Sequence, residues 1–190
     1  MQTANTDYAG IIFDMDGTLV DSRLDFTLIR DELDCPEGIG VLEFIDTLPR
    51  DRQPAAHKVV LRHERNGAMK ARWMPGAKAC LERLAANGIP TAILTRNARE
   101  ITALTIERLG IPVSHWLARE DAPPKPAPEG LLSIAADWQL DPASVAYVGD
   151  FEYDLLAARN AGMVGVYYDG DGRNLHGHLA DRTIRHFDEL

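Results

Sequence analysis

Residues 11–22 read IIFDMDGTLVDS, and this short stretch decides the fold. It begins with three apolar residues, which are typical of a buried β-strand, and continues into Asp14 and Asp16, separated by a single methionine. Two carboxylates at the end of a hydrophobic strand repel each other, and burying their charges costs free energy. Gly17 follows, and a glycine allows the backbone to turn tightly. The stretch therefore predicts a strand that ends at a polar site, where a cation offsets the two negative charges.

From residue 75 onward, strand-like apolar segments alternate with segments of helical periodicity. The predicted strands lie at 89–95, 115–117, 144–150 and 164–168, and the predicted helices at 76–88, 97–110, 127–138 and 154–162. Alternation of helices with wholly apolar strands is typical of a parallel sheet that is covered by helices on both faces. We therefore predict an α/β fold, a doubly wound parallel sheet of the Rossmann-like type, formed by residues 1–21 and 73–190.

Residues 22–72 interrupt this alternation. Three helical segments follow one another there, at 24–33, 41–48 and 53–72. A run of helices inside a β–α alternation predicts a small helical cap, inserted after the first strand. Proline and glycine punctuate such junctions, so Met74–Gly76 is the predicted return to the core.

Composition narrows the classes of partner. The chain has 190 residues, enough for one domain with a modest insertion and a core that needs no disulfide or structural metal. The formal net charge of −9 argues against nucleic acid and anionic membranes as partners, because both select basic surfaces.

The two cysteines and the N-terminal residues bear on the cellular compartment. Cys35 and Cys80 are far apart and form no CxxC pair, so we expect no disulfide framework, and Cys80 falls in a helical pattern as a core residue. The first ten residues lack the features of a leader peptide, and no apolar run approaches the ~18–20 residues that span a bilayer. We therefore expect a cytoplasmic protein without a membrane segment.

Polar residues follow each predicted strand at the edge where an open parallel sheet binds its ligands. Asp14 and Asp16 follow the first strand, and Asp150 and Asp154 follow the strand at 144–150. Such a cluster of carboxylates predicts a hard divalent cation, and oxygen ligands favour Mg²⁺.

Anion-binding groups converge on the same edge. Thr95 ends a second strand, and Lys125 lies between prolines before the next helix. A hydroxyl, an amine and the backbone N–H groups of a glycine turn bind phosphate. Neighbouring cation and phosphate sites predict phosphoryl transfer, with one aspartate as nucleophile and the second as general acid and base.

The motifs also resemble those of a known family. The segments DMDGTLVDS, ILTRN, PPKPAPEG and VGDFEYD, in this order, are similar to the four motifs of the haloacid dehalogenase superfamily, and the cap position is similar to that in phosphoglycolate phosphatases. The resemblance implies a Mg²⁺-dependent phosphatase that hydrolyses a small phosphorylated metabolite through an aspartyl-phosphate. Its implied nucleophile is Asp14, and its implied acid and base is Asp16.

The resemblance also implies the ligand sets. Thr95 and Lys125 would hold the phosphate, with Lys125 also steadying Asp14, and Arg96 is a further candidate for contact with the substrate. The predicted metal ligands are Asp14, the backbone carbonyl of Asp16, and Asp150, with Asp154 as a ligand through water or as a partner of the direct ligands. A cap of about 50 residues is shorter than in phosphoglycolate phosphatases, and would seal the site less fully.

Other functions stay open at this point. A phosphomutase of the same superfamily shares all four motifs, although the short cap disfavours it. A dehalogenase is disfavoured because its chemistry does not need Asp16. A receiver-like signalling domain or a phospho-ligand-binding protein without activity would form another class. Neither the natural substrate nor the oligomeric state follows from the sequence.

Several other polar residues are interpreted as structural. Asp21 and Ser22 are predicted to cap the first helix of the cap, and the six histidines are interpreted as structural or surface residues. The cap also carries basic side chains that are interpreted as a solvated helix face: Arg62, His63, Arg65, Lys70 and Arg72.

Overall fold

The computed structural model describes residues 7–190. Residues 1–6, which belong to the predicted core and to the stretch judged to lack a leader, lie outside it. In chain order the strands are β1 (Gly10–Phe13), β2 (Val20–Asp21), β3 (Arg72–Trp73), β4 (Thr91–Leu94), β5 (His115–Leu117), β6 (Val145–Gly149), β7 (Val164–Tyr168) and β8 (Arg182–Ile184). The helices are α1 (Phe26–Leu33), α2 (Val41–Thr47), α3 (Gln53–Lys70), α4 (Ala77–Ala86), α5 (Arg99–Leu109), α6 (Glu129–Trp138) and α7 (Glu152–Ala161).

Six strands form one sheet in the order β5–β4–β1–β6–β7–β8, and every neighbouring pair is parallel. The β1 strand lies inside the sheet, between β4 and β6, and all four of its residues are buried. The predicted doubly wound α/β fold is confirmed. Because β1 is internal, the aspartates that follow it lie in the middle of the carboxyl edge of the sheet.

Alternate residues of β1 face opposite layers of helices, as the two-residue period of a strand requires. Ile11 and Phe13 belong to an apolar cluster that includes Leu81 of α4. Ile12 belongs to a second cluster on the other face, which includes Leu131 of α6. The sheet therefore has a core on each side, and both cores fix the direction in which β1 leaves the sheet.

The predicted helical pattern of the core is confirmed at α4 and α5. Leu81 and Leu84 are buried on one face of α4, and Cys80 is buried beside them. Gly88 has a positive φ directly after the C-cap of α4, and Gly110 is the left-handed C-cap of α5.

The three helices predicted in the cap are confirmed as α1, α2 and α3. They form an apolar cluster of their own, whose buried members are Ile29, Val41, Ile45, Ala56 and Val60. A two-stranded antiparallel ribbon, which the sequence did not predict, joins this segment to the core and pairs β2 with β3. The division into core and cap at residues 22 and 73 stays a prediction.

Two details of the chain differ from expectation. Asp25 caps α1, because its carboxylate accepts a hydrogen bond from the backbone N–H of Leu28 at 3.0 Å, so the prediction that Asp21 and Ser22 cap this helix was wrong. The short edge strand β8 was not predicted, because its three residues mix charged and apolar side chains.

No helix within residues 7–190 combines the length and the apolar character that crossing a bilayer requires.

Candidate active site

The candidate active site lies at the carboxyl edge of the sheet, where β1, β4 and β6 end side by side. The backbone N–H of Asp14 donates to the carbonyl of Val148 at 2.8 Å, which extends the pairing of β1 with β6 by one residue. Thr95 is held in the same way, because its N–H donates to the carbonyl of Leu117 at 3.0 Å. Backbone pairing within the sheet thus fixes the positions of Asp14 and Thr95 independently of their side-chain contacts.

The turn after β1 brings the backbone against Asp150. The N–H of Gly17 donates to the carbonyl of Val20 at 2.8 Å, and Gly17 has a φ of 78°. A Cβ at Gly17 would overlap the Asp150 carboxylate, so the turn needs a glycine for space as well as for its left-handed backbone. The hydroxyl of Thr18 donates to an Asp150 oxygen at 3.0 Å and fixes that side chain.

Lys125 is the centre of the hydrogen-bond network. Its buried ammonium group lies 2.8 Å from Asp14 Oδ1, 2.6 Å from Asp154 Oδ1 and 2.8 Å from the hydroxyl of Tyr147. Burial alone would lower the pKa of Lys125, but the charges of Asp14 and Asp154 outweigh burial and raise this pKa above its ordinary value. The amine therefore stays protonated and bridges the two carboxylates.

Asp154 both supports Lys125 and caps a helix. Its second oxygen accepts a hydrogen bond from the backbone N–H of Phe151 at 3.1 Å, at the start of α7. The hydroxyl of Tyr147 lies 3.1 Å from Asp154 Oδ1 and 3.1 Å from the carbonyl oxygen of Leu94, and Tyr147 is fully buried. Sequence reasoning missed Tyr147, although a tyrosine inside an apolar strand signals a buried hydroxyl that needs a partner.

Three carboxylates form a group that fits a metal ion. One oxygen from each of Asp14, Asp150 and Asp154 lies within 4.8 Å of the others. Burial raises the pKa of Asp14 well above its usual value, partly offset by Lys125, and burial together with the charge of Asp154 raises the pKa of Asp150 to about 7. A site that makes ionisation this costly, and that consists of oxygen donors, fits a hard divalent cation.

Asp16 points to a different set of partners. Its carboxylate accepts a hydrogen bond from the side-chain amide of Asn97. Asn97 belongs to the predicted motif ILTRN, but no role was predicted for it from the sequence. Burial raises the pKa of Asp16, while hydrogen bonds from Ser22 and Asn97 oppose the increase. Asn97 is fixed in turn, because its backbone N–H donates to the hydroxyl of Thr95 at 3.2 Å.

Arg96 lies between the core and the cap. Its guanidinium pairs with Glu43 of α2 and lies 5.2 Å from the centre of the Tyr153 ring. The Nε atom of Arg96 is buried and has no hydrogen-bond partner within the described residues, and the same holds for Oε2 of Glu43. Arg96 therefore keeps one donor for a ligand, while its charge is already paired.

A second ion pair, whose glutamate is buried, connects the cap to the loops after β4 and β5. Glu64 of α3 pairs with Arg119 and also accepts a hydrogen bond from the backbone N–H of Ala98 at 3.3 Å. Arg119 Nε donates to the carbonyl of Arg96 at 2.8 Å, and its own N–H donates to the carbonyl of Asn97 at 2.9 Å. The cap thus holds the segment that carries Thr95, although no pattern in the sequence indicated that Glu64 is buried.

The basic side chains of the cap lie away from this site. Arg62 and His63 pair with Glu32, and Arg65 pairs with Glu100. All five basic residues noted in the cap belong to the described part of the chain, and none of them lines the cavity.

A cavity of about 540 Å³ lies between the cap and the sheet edge. All the predicted site residues line it: Asp14, Asp16, Thr95, Arg96, Lys125, Asp150 and Asp154. The structure therefore brings these residues together, while their chemical roles stay predictions.

Comparison with known proteins shows the family of the chain. Residues 8–162 match the model of the haloacid dehalogenase-like hydrolases. A haloacid dehalogenase-like hydrolase domain-containing protein of Arabidopsis thaliana is 31% identical over 182 residues, which cover 90% of this chain and 74% of the plant protein. Phosphoglycolate phosphatase 1 of Pseudomonas aeruginosa is 26% identical over 181 residues, which cover 80% of this chain and 66% of that protein.

The fold is also that of a solved structure. The crystal structure of a hydrolase from Pseudomonas syringae matches with a TM-score of 0.82 at 20% identity, covering 96% of this chain and 95% of that chain. The chain belongs to the haloacid dehalogenase-like hydrolases, and the resemblance of its four motifs is confirmed.

Proposed function

We propose that this protein is a Mg²⁺-dependent phosphatase that hydrolyses a small phosphate monoester through an aspartyl-phosphate on Asp14. The observation that carries the proposal is the contact of the Lys125 ammonium with Asp14 Oδ1 at 2.8 Å, beside a group of three carboxylates. Membership of the hydrolase family and a relative named phosphoglycolate phosphatase support it.

The proposed metal ligands are the carboxylates of Asp14, Asp150 and Asp154 and the backbone carbonyl of Asp16. A bound Mg²⁺ would neutralise negative charge on the transferring phosphoryl group. Asp154 already accepts hydrogen bonds from Lys125 and Phe151, so we assign it mainly the task of orienting its neighbours.

Asp14 is the proposed nucleophile. Lys125 occupies Oδ1, which leaves Oδ2 to attack phosphorus. As the new O–P bond forms, the bond between phosphorus and the alcohol oxygen breaks, and Asp16 donates its proton to that oxygen. The raised pKa of Asp16 favours the protonated form that this step needs.

The second step releases phosphate. Asp16, now a carboxylate, accepts a proton from water as the water oxygen attacks phosphorus. The bond between phosphorus and Asp14 breaks, which yields inorganic phosphate and returns Asp14 to its carboxylate form. Thr95, Lys125 and the free Nε of Arg96 are the proposed phosphate ligands, and residues 22–72 are the proposed cap that limits access of bulk water.

Hydrolysis of an aryl phosphate tests the proposal. We expect turnover that requires Mg²⁺, stops on addition of a chelator and is lost in Asp14→Asn. Asp46→Asn, which changes an exposed aspartate of α2 outside the cavity lining, is the matched control and should retain activity. A phosphoprotein that accumulates without release of phosphate would instead indicate signalling, and turnover that persists in Asp14→Asn would exclude Asp14 as nucleophile.

A further inference from the structure

The cap contributes an apolar wall to the cavity. Six apolar side chains of the cap form it: Leu24, Phe26, Ile29, Val41, Leu42 and Val60. Charged side chains of the cap also line the cavity, namely Arg23, Arg30, Glu43 and Glu64. The volume of about 540 Å³ falls within the range of about 300–1,000 Å³ that is typical of ligand pockets with mostly hydrophobic walls. The site therefore offers a polar end for a phosphate and an apolar wall for the rest of the substrate.

Most of the positive charges that line the cavity already pair with a carboxylate of the chain. Arg96 pairs with Glu43, and Arg119 pairs with the buried Glu64. Lys125 is shared between two of the site carboxylates. A second anionic group on the substrate would have to displace one of these pairs and leave a carboxylate without its partner, which is costly away from water.

The two remaining arginines of the cavity wall are also engaged. Arg30 donates to the carbonyl of Pro36 at 2.8 Å, and Arg23 lies 3.5 Å from Asp21. Within the described residues, therefore, Arg30 is the one cation of the cavity lining whose polar partners include no carboxylate.

Two aromatic side chains that line the cavity are exposed to solvent. Phe26 of α1 is 59% exposed and Phe151, directly after Asp150, is 47% exposed. The Phe151 ring contacts that of Tyr153 edge-on, with ring centres 5.3 Å apart. Aromatic surface of this kind gains free energy when an apolar group covers it.

We infer that the alcohol part of the substrate is uncharged and apolar, and that it binds against the cap while the phosphate binds at the aspartates. This inference rests on the proposed phosphatase function. It assigns the choice of substrate to the apolar wall and to the ion pairs that already engage Arg96, Arg119 and Lys125, with no substrate carboxylate involved.

Two esters with matched leaving groups test the inference in the presence of Mg²⁺. We would compare 3-methylphenyl phosphate with 3-carboxyphenyl phosphate, because their phenols are similar in acidity and differ in charge. The expected kcat/KM is at least about tenfold higher for the methyl ester, since the carboxylate would leave water beside an apolar wall and would compete with Glu43 and Glu64 for Arg96 and Arg119. Phosphoglycolate, which also carries a carboxylate, should be a poor substrate beside benzyl phosphate.

Substitutions at Phe26 test whether the apolar wall causes the preference for the methyl ester. Phe26→Ala should lower kcat/KM for 3-methylphenyl phosphate by roughly fivefold, because apolar contact is lost. Phe26→Lys should reduce the preference for the methyl ester, because it adds a cation to the wall. Leu28→Ala, on the same helix with 52% exposure but outside the cavity lining, is the matched control and should leave both rates unchanged.

The outcomes separate the two proposals. Metal-dependent hydrolysis of both esters at equal rates, or with preference for the carboxylate, overturns the inference and leaves the phosphatase intact. Absence of hydrolysis of every ester overturns the phosphatase proposal and the inference with it. A Phe26→Lys variant with an unchanged ratio would also contradict the assigned role of the wall.

Discussion

Asn97 donates a hydrogen bond from its side-chain amide to the carboxylate of Asp16, 81 residues earlier in the chain. The contact fixes the orientation of the proposed general acid, while Arg119 holds the backbone of Asn97 in place. Because the side chain of Asn97 contacts Asp16, and its backbone N–H contacts the proposed phosphate ligand Thr95, a side-chain substitution at Asn97 can perturb proton transfer separately from phosphate binding.

Replacement of Asn97 by leucine should impair steps that need a proton from Asp16. We expect kcat/KM for an alkyl phosphate to fall by roughly tenfold or more, and to fall much less for 4-nitrophenyl phosphate, whose leaving group departs without a proton. Steady-state kinetics on both esters measure the ratio. Asn87→Leu, an exposed position at the end of α4, is the control, and equal losses on both esters in Asn97→Leu would argue for a merely structural role.

Replacement of Lys125 by methionine should destabilise the fold as well as abolish activity. The substitution leaves Asp14 and Asp154 buried without their cation, which typically costs about 3–5 kcal/mol of unfolding free energy. Denaturant titration measures the loss. The double variant Lys125→Met with Asp154→Asn should lose less than the sum of the single variants, because it also removes one of the unpaired charges.

Lys78→Met is the control for this experiment, since Lys78 lies on the surface of α4 in a weak pair with Glu82. A Lys125→Met variant as stable as the wild type would mean that the ammonium is not required to hold the carboxylates together.

Substitution of alanine at Gly17 tests the close approach of the turn to Asp150. The change imposes a side chain on a left-handed backbone, at a cost of about 1–2 kcal/mol, and adds overlap with the Asp150 carboxylate. Gly172→Ala shares the positive φ but meets no atom within 4 Å, so it separates backbone strain from overlap. We expect both variants to lower Tm and only Gly17→Ala to lose most of its phosphatase activity; equal activity in the two would show that Asp150 tolerates displacement.

The raised pKa of the buried Glu64 predicts that the free energy of unfolding depends on pH. Burial raises the pKa of Glu64 above its ordinary value of 4.5, although Arg119 and the N–H of Ala98 oppose the increase. Below the ordinary pKa the carboxyl is protonated in both the folded and the unfolded protein. Above it the unfolded protein ionises first, so the contribution of Glu64 to folding becomes less favourable as pH rises towards the folded pKa.

Glu64→Gln removes this titration. The unfolding free energy of the variant, relative to that of the wild type, should therefore increase as pH rises from about 4.5 to the folded pKa and then stay constant. Denaturant titrations between about pH 5 and pH 8 measure the difference. A difference that decreases with pH would mean that the pair with Arg119 outweighs burial.

Much of the core could be predicted from sequence because its signals are local. The strand exits, the helix C-terminal glycines and the aspartates of the first motif each depend on neighbours within a few residues. The cap helices followed from the same periodicity. Their ribbon did not, since two strands of two residues each carry no pattern.

The residues that hold the predicted site side chains in place could not be predicted, because their partners are distant in the chain. Glu64 lies in a helix with a basic, solvated face, and its burial depends on Arg119, 55 residues away. Tyr147 occupies one position of an apolar strand, which indicates a buried hydroxyl but does not identify Lys125 as its partner. Glu43 likewise can be assigned to the site only when its ion pair with Arg96, 53 residues later in the chain, is known.

The apolar cluster of the cap has a consequence for how such a protein can change. The apolar side chains of the cap that we assign to substrate choice lie between Leu24 and Val60, whereas those assigned to hydrolysis lie on the sheet edge and the turns around it. Selection can therefore alter the substrate by mutating one continuous stretch and leave the reaction chemistry untouched. A mutant library confined to residues 24–60 should yield new substrate preferences at a higher rate than one spread over the whole chain.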